Sequence, residues 1–338
     1  MAKVYNIAIA PNGAYTNYSL VLLKSIFRTN SEKKFRIFVL YNSLTEEEKA
    51  KLSNFVTAHN SEVEFLYIDG AKYKVFEWKE RFSVETYFRL ELQDILPSEV
   101  ERILYLDIDM IVCKDLAELY EMDLEDKYIA ACGFSPRCER GDEFNAGMIL
   151  FDIAKMRENH ITFETYVDLA EKLNGNFYQD QGLLNELFGD TGTKYVWKQK
   201  YNFTCAFYRK YKVEVLKEMP DFSLEDIVVM HYPGPGIRPW QIQLSEKDMQ
   251  LLEKKNLSDV AASKGYEIDR LFFEMQKVWW NIAKETPIYE ELIESSLPRK
   301  IGFYTKLTES LVDSKEYSLG YKLLKNVRTI YNRIRVGG

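Results

Sequence analysis

Residues 102–116 read RILYLDIDMIVCKDL. Ile103, Leu104, Tyr105 and Leu106 make a continuous apolar run of strand length, and Asp107 and Asp109 follow with Ile108 between them. A continuous run, as opposed to an alternating one, marks a strand covered on both faces. Two carboxylates at the mouth of such a strand are costly to desolvate unless a counter-charge meets them. Their spacing lets both approach one centre where strand becomes loop, and carboxylate oxygens of this kind hold a divalent cation beside a phosphate. Taken alone, the pair is more simply a strand end leaving into solvent, with Asp109 capping the segment after it. The rest of the chain has to decide.

Upstream, strands and helices alternate. Val4–Ala10 reads as a strand that ends at the turn signal Pro11-Asn12-Gly13, with a helix over Leu20–Phe27. FRIFVLY (35–41) is a second strand. Thr45 and Glu48 form a capping-box pattern that opens a helix to about His59. VEFLYID (63–69) is a third strand, and a helix around Glu85–Ile95 stops before Pro97. Downstream, strands are expected near Tyr128–Cys132, Gly147–Asp152 and Ile227–His231. This alternation predicts an α/β fold with a mainly parallel sheet flanked by helices. Ligands bind such sheets beyond the carboxyl ends of the strands, where Asp107, Asp109 and Pro11–Tyr15 all fall. Strand signals stop after Trp240. The expected organisation is therefore a main domain over residues 1–240 and a helical C-terminal region over 241–338.

Composition narrows the function classes. Hydrophobic residues at 46% supply a sizeable core, and a net charge of −7 argues against a nucleic-acid binder. The four cysteines form no CxxC and the chain has three histidines, which excludes a zinc finger and suits reduced, cytoplasmic thiols. The N-terminus is too short in apolar residues for a signal peptide, and no stretch approaches the roughly 20 needed to span a bilayer. Near the end, YKLLKNVRTIYNRIR (321–335) gathers Leu323, Leu324, Val327, Ile330, Tyr331 and Ile334 on one helical face. Lys322, Lys325, Arg328, Arg333 and Arg335 take the remainder. That pattern predicts peripheral contact with anionic lipid on the inner face of the cell membrane; docking on the protein body is the alternative. LFFEMQKVWWNI (271–282) sets Leu271, Met275, Val278, Trp279 and Ile282 on one face for packing, with Phe273 and Trp280 on its flank.

Other stretches decide between readings of the acids. FNAGMILFD (144–152) puts Asn145, Ala146 and Gly147 at the head of an apolar strand, letting backbone approach a ligand closely. YQDQGLLNELF (178–188) opens with Gln179, Asp180 and Gln181 and continues as an amphipathic helix. VVMHYPGPGIRPW (228–240) ends a strand in His231 and continues through a Gly/Pro loop to Arg238. Haloacid-dehalogenase-like phosphatases also carry a D-x-D after an apolar strand, but in their first strand; here three precede it, and Ile111 stands where threonine or valine is usual. With SVETYFRL (83–90), these five ordered motifs resemble glycosyltransferase family 8 over roughly residues 4–240. Bacterial lipopolysaccharide galactosyl- and glucosyltransferases and glycogenin belong to that family.

The resemblance implies a Rossmann-like GT-A fold and a retaining, metal-dependent hexosyltransferase that takes a UDP-sugar donor, galactose or glucose being the commonest sugars. Asp107, Asp109 and His231 would bind Mn²⁺, with Mg²⁺ the alternative; a histidine ligand shifts preference toward Mn²⁺. Arg89 would sit beside the first acid and the transferred sugar. Asn145, Ala146, Gly147, Asp180 and Gln181 would line the sugar, with Gln181 next to the anomeric carbon and Asp180 on its hydroxyls. Ala10, Asn12, Tyr15, Ile108, Gly234 and Arg238 would bind the nucleotide. Two departures stand out: Pro11 and Asn12 occupy the place of the family's usual acid, and Arg238 replaces its usual lysine in a loop one residue longer. The implied acceptor is a glycan or glycolipid of a bacterial surface polysaccharide. The alternatives are a catalytically weak sugar-nucleotide or glycan binder, and a self-glucosylating enzyme like glycogenin.

Overall fold

Strand β4 (Arg102–Leu106) buries Ile103, Leu104, Tyr105 and Leu106 on both faces of a sheet. Covering each such side chain contributes about 1.5–3 kcal/mol. The computed structural model describes residues 3–76, 83–133, 143–196, 200–204, 207–208, 213, 215–217, 220–234, 237–240 and 270–292. Contacts divide the chain into two compact units, Met1–His231 and Tyr232–Gly338.

In the first unit, β1 (Val4–Ile9), β2 (Lys34–Tyr41) and β3 (Glu62–Tyr67) join β4 in a parallel arrangement. A short β5 (Met110–Val112) follows the acids, and β6 (Ile129–Gly133), β7 (Phe144–Asp152) and β8 (Thr193–Val196) extend the main sheet. Its order is β3-β2-β1-β4-β7-β6-β8. β7 runs antiparallel to both β4 and β6, so the sheet is mostly parallel with one reversed strand. This reversal has a direct consequence for the site. The head of β7, with Asn145 and Gly147, lies beside the tail of β4 and its acids. The strand expected near Ile227–His231 forms as β9 (Val229–His231), which lies outside the main sheet and pairs antiparallel with β5 as a two-stranded ribbon.

The helices of this unit are α1 (Thr16–Thr29), α2 (Glu46–Thr57), α3 (Leu92–Ile95), α4 (Ala117–Tyr120), α5 (Ile153–Glu158), α6 (Phe163–Lys172) and α7 (Gln179–Gly192). The capping box forms: Thr45 accepts from the Glu48 N–H, and Glu48 reaches back to the Thr45 N–H at 2.8 Å. Thr45→Ala is expected to lower stability by about 1 kcal/mol in denaturant melts. The helix expected over Glu85–Ile95 is largely a 3₁₀ helix, Val84–Glu91, with the α-helical turn α3 after it. Its buried residues are Tyr87, Phe88 and Leu90 together with Glu85, Arg89 and Glu91, so charged side chains are buried alongside the apolar ones.

In the second unit, α8 (Arg270–Ala283) buries Met275, Trp279 and Ile282 from the expected face, with Val278 and Trp280 half-buried. The Trp240 ring lies 5.1 Å from that of Trp279, and the Tyr232 hydroxyl donates to the Met275 carbonyl at 2.6 Å. The side chains of Leu271 and Phe273, most of the region 241–338 and the basic stretch 321–335 lie outside the described residues. No helix among the described residues is long and apolar enough to cross a membrane.

Candidate active site

Three elements bring the acids and the histidine together. β1 and β4 are parallel neighbours in register Ala8↔Tyr105, so Ala10 and Asp107 leave the sheet at the same edge. The chain then turns through Ile108 and Asp109 into β5, where Met110 pairs with His231 of β9. His231 thus arrives next to Asp109. One ligand atom each from Asp107, Asp109 and His231 lies within 4.8 Å of the others. His231 Nε2 is 3.1 Å from Asp109 Oδ1 and 4.0 Å from Asp107 Oδ2. Asp109 and His231 are buried, whereas the Asp107 side chain is 29% exposed and leaves the group one open side.

Gly147 makes room for this cluster. Its carbonyl accepts from the Asp107 N–H at 2.7 Å. A Cβ there would stand 2.7 Å from His231 Cε1 and 2.8 Å from Asp107 Oδ2. Two oxygens and an imidazole nitrogen around a space that no side chain can enter fit a divalent cation.

Arg89 is the counter-charge within the protein. Its Nη2 donates to Asp107 Oδ1 at 2.9 Å, and its Nε lies 3.1 Å from Asp180 Oδ2. Nε also donates to the Thr86 carbonyl at 2.9 Å, Nη1 donates to the Ala146 carbonyl, and the guanidinium packs 4.1 Å from the centre of the Tyr105 ring. Burial disfavours its charge, but Asp107, Tyr105 and Asp180 more than compensate and hold its pKa above the ordinary value. Burial lifts the Asp180 carboxyl to about 6, a rise that Arg89 opposes and Asp107 adds to.

The donor-sugar candidates form a connected network. The pairing of β6 with β7 jumps register between Ala131 and Cys132, from Ile149 to Asn145. Such an irregularity beside a site frees backbone groups from the ladder. The Ala146 N–H donates to Gln181 Oε1 at 3.2 Å, and Asn145 Nδ2 donates to the same oxygen at 3.1 Å. The Gly147 N–H donates to Asn145 Oδ1 at 3.1 Å. Asn185, one turn along α7, braces the arrangement by pairing with both the N–H and the carbonyl of Phe144.

The structure adds Asn202, which the sequence reading did not single out. Fully buried, it lies 2.8 Å from Asn145 Oδ1 through Nδ2 and 2.6 Å from His231 Nδ1 through Oδ1. Its backbone takes a positive φ, 56°, a state in which asparagine is enriched, and no motif in the sequence around it signalled the role.

The nucleotide candidates lie on several elements. Asn12 donates to Ser83 Oγ at 3.3 Å, and Ser83 in turn donates to Glu85 in the 3₁₀ helix that carries Arg89. Tyr15 ends a 3₁₀ turn with its ring 5.5 Å from Tyr18. Ile108 is buried between the acids, and Ala10 follows β1 half-buried. Gly234, with φ 82°, and Arg238 belong to the second unit.

The sheet order, the reversed β7 and the acids at the end of β4 make this a GT-A fold, the fold of nucleotide-sugar glycosyltransferases. Galactosyltransferase LgtC, solved with donor and acceptor sugar analogues, has a similar structure: TM-score 0.60, 24% identity, 76% of this chain and 95% of that one. The model of glycosyl transferase family 8 matches residues 6–243, well over half of the sequence, and the chain belongs to that family. A putative glycosyltransferase of Haemophilus influenzae is 27% identical over 252 residues, covering 70% of this chain and 73% of that one. A lipopolysaccharide 1,2-glucosyltransferase of Escherichia coli is 25% identical over 257 residues, covering 70% and 74%.

Proposed function

We propose that this glycosyltransferase moves a hexose, galactose or glucose, from a UDP-sugar to a glycan or glycolipid acceptor of a bacterial surface polysaccharide, with retention of anomeric configuration and with Mn²⁺ as cofactor. The observation that carries the reading is the convergence of Asp107, Asp109 and His231 on one centre beside the Arg89–Asp180 pair. The lipopolysaccharide glucosyltransferase among its relatives supports the acceptor class. Retained acids and a retained Asp180-Gln181 pair weigh against a binding protein that has lost catalysis.

In this mechanism Asp107, Asp109 and His231 hold the cation. Bound there, it supplies Lewis-acid stabilisation of charge on the leaving diphosphate. Arg89 keeps the Asp107 and Asp180 carboxylates in fixed positions, because its guanidinium reaches both. Asp180 accepts hydrogen bonds from sugar hydroxyls. Gln181 Oε1 already receives two donors, so the side chain has its Nε2–H to offer the reacting sugar rather than a free oxygen for attack. That favours same-face delivery of the acceptor hydroxyl, with the leaving phosphate oxygen taking its proton, over a covalent intermediate on Gln181. Ala10, Asn12, Tyr15, Ile108, Gly234 and Arg238 are the proposed nucleotide contacts.

A donor screen with UDP-, GDP- and TDP-sugars in the presence of Mn²⁺ tests the proposal. UDP-hexose hydrolysis should dominate, and NMR of the transfer product should show the donor's anomeric configuration. Inversion, or equal use of the three nucleotides, would overturn it. Asp180→Asn and Gln181→Ala should lower kcat about 10²-fold or more while UDP affinity stays near that of the wild type. Unchanged turnover in both variants would remove them from the reacting centre.

A further inference from the structure

The direction of each hydrogen bond around His231 can be fixed without assuming how any amide is turned. A backbone N–H can only donate. The Gly147 N–H therefore makes its partner at 3.1 Å the amide oxygen of Asn145, and the Ala146 N–H makes its partner at 3.2 Å the oxygen of Gln181. Because Asn145 Oδ1 is an acceptor, the Asn202 atom 2.8 Å from it must be the amide nitrogen. The other end of the Asn202 amide is then an oxygen, and it faces His231 Nδ1 at 2.6 Å. That oxygen requires a proton on Nδ1. An imidazole that binds metal is neutral and carries one N–H, so with that N–H on Nδ1 the lone pair for a metal is on Nε2. This is the nitrogen 3.1 Å from Asp109 Oδ1, on the side where the ligand atoms of Asp107 and Asp109 also lie.

We infer that Asn202 is a positioning residue for the cation site: it holds His231 in the Nδ1–H tautomer, with Nε2 free to bind metal, and joins it to Asn145 on the donor-sugar side. The inference rests on the metal-dependent reading above. A ligating histidine is commonly oriented through its other nitrogen by a carboxylate or a carbonyl; here a side-chain amide performs that task. An amide suits it because it both accepts from His231 and donates to Asn145, which an aspartate could not do. The backbone is tied to the same strand. The Phe203 N–H donates to the Val229 carbonyl at 2.9 Å, and the His231 N–H donates to the Phe203 carbonyl at 2.8 Å. Asn202 and His231 are thereby fixed in one local register. The positive φ of Asn202 is tolerated by Asn, Asp and Gly, which defines the usable substitutions.

The test compares Asn202→Gly, which removes the side chain without straining the backbone, with Asn202→Asp, which keeps the acceptor and loses the donor. Binding of Mn²⁺ alone to the full chain is followed by the electron paramagnetic resonance of free Mn²⁺, with thermal melts in EDTA as the control for folding. Asn202→Gly should weaken Mn²⁺ binding about 10–100-fold. Asn202→Asp should bind Mn²⁺ close to wild type yet turn over more slowly, because Asn145 loses its donor. Wild-type Mn²⁺ affinity in Asn202→Gly would overturn the inference and leave the metal reading standing. Should Asn202→Gly not fold, Asn202→Asp carries the test, and a loss of Mn²⁺ equal to that of His231→Ala would overturn it. Failure of the wild-type chain to bind Mn²⁺ would instead overturn the metal reading and this inference with it.

Discussion

Asp109→Ala is expected to lower kcat about 10³-fold, equivalent to roughly 4 kcal/mol of lost transition-state stabilisation. Asp109 is a cleaner probe than Asp107, because Asp107 also carries the ion pair with the buried Arg89. Removing Asp107 leaves that guanidinium short of a partner, which costs stability as well as chemistry. In Asp109→Ala the melting temperature in EDTA should stay near that of the wild type while Mn²⁺ binding and turnover fall together. Assays of UDP-hexose hydrolysis across a Mn²⁺ titration would show this. Full turnover of the variant, or of the wild type in EDTA, would end the metal-dependent assignment.

Gly147→Ala should be nearly as damaging, although it adds one methyl group and removes no ligand. The new Cβ would fall 2.7 Å from His231 Cε1, 2.8 Å from Asp107 Oδ2 and 2.8 Å from Met110 Cε. Those atoms belong to elements that cannot give way freely. Met110 and His231 are paired across the β5–β9 ribbon, and Asp107 is bonded to Arg89. Overpacking of this kind costs about 1–3 kcal/mol of stability. Displacing two ligands at once should weaken Mn²⁺ binding about 10–100-fold, in line with losses at supporting residues. A folded Gly147→Ala protein with wild-type Mn²⁺ affinity would show that the methyl group is accommodated elsewhere and that the cluster is not as tightly set as its distances indicate.

How much of this was legible beforehand differs from element to element. The run Ile103–Leu106 announced a buried strand because both faces of β4 are covered, and Thr45 with Glu48 announced the start of α2. The reversal of β7 was not legible, since a continuous apolar run carries no direction. A helix was legible over Glu85–Ile95, but its 3₁₀ form over Val84–Glu91 was not, since a hydrophobic pattern over two turns does not separate the two helix types. The strand at β9 was legible, but its pairing with β5 was not, because a strand of three residues does not specify its partner. The acids, His231, Asn145–Gly147 and Asp180-Gln181 were recognisable through ordered motifs, and the structure brings them to one place. Asn202 lay between two aromatic residues in a stretch that matched none of those motifs. Its contribution depends on a backbone angle and on contacts to residues 57 and 29 positions away.

The separation of Asp109 from His231 along the chain, 122 residues, has a consequence for biosynthesis. At about 5–20 residues per second, the ribosome delivers the histidine roughly 6–24 s after the second acid. In that interval β1–β4 can already assemble around parallel neighbours, with Arg89 beside Asp107, while the ribbon that supplies the third side chain is still unsynthesised. The nascent enzyme therefore acquires its carboxylates early and its imidazole late. The grouping of Asp107, Asp109 and His231 is thus complete only in the nearly finished first unit and not in the sheet that supports it.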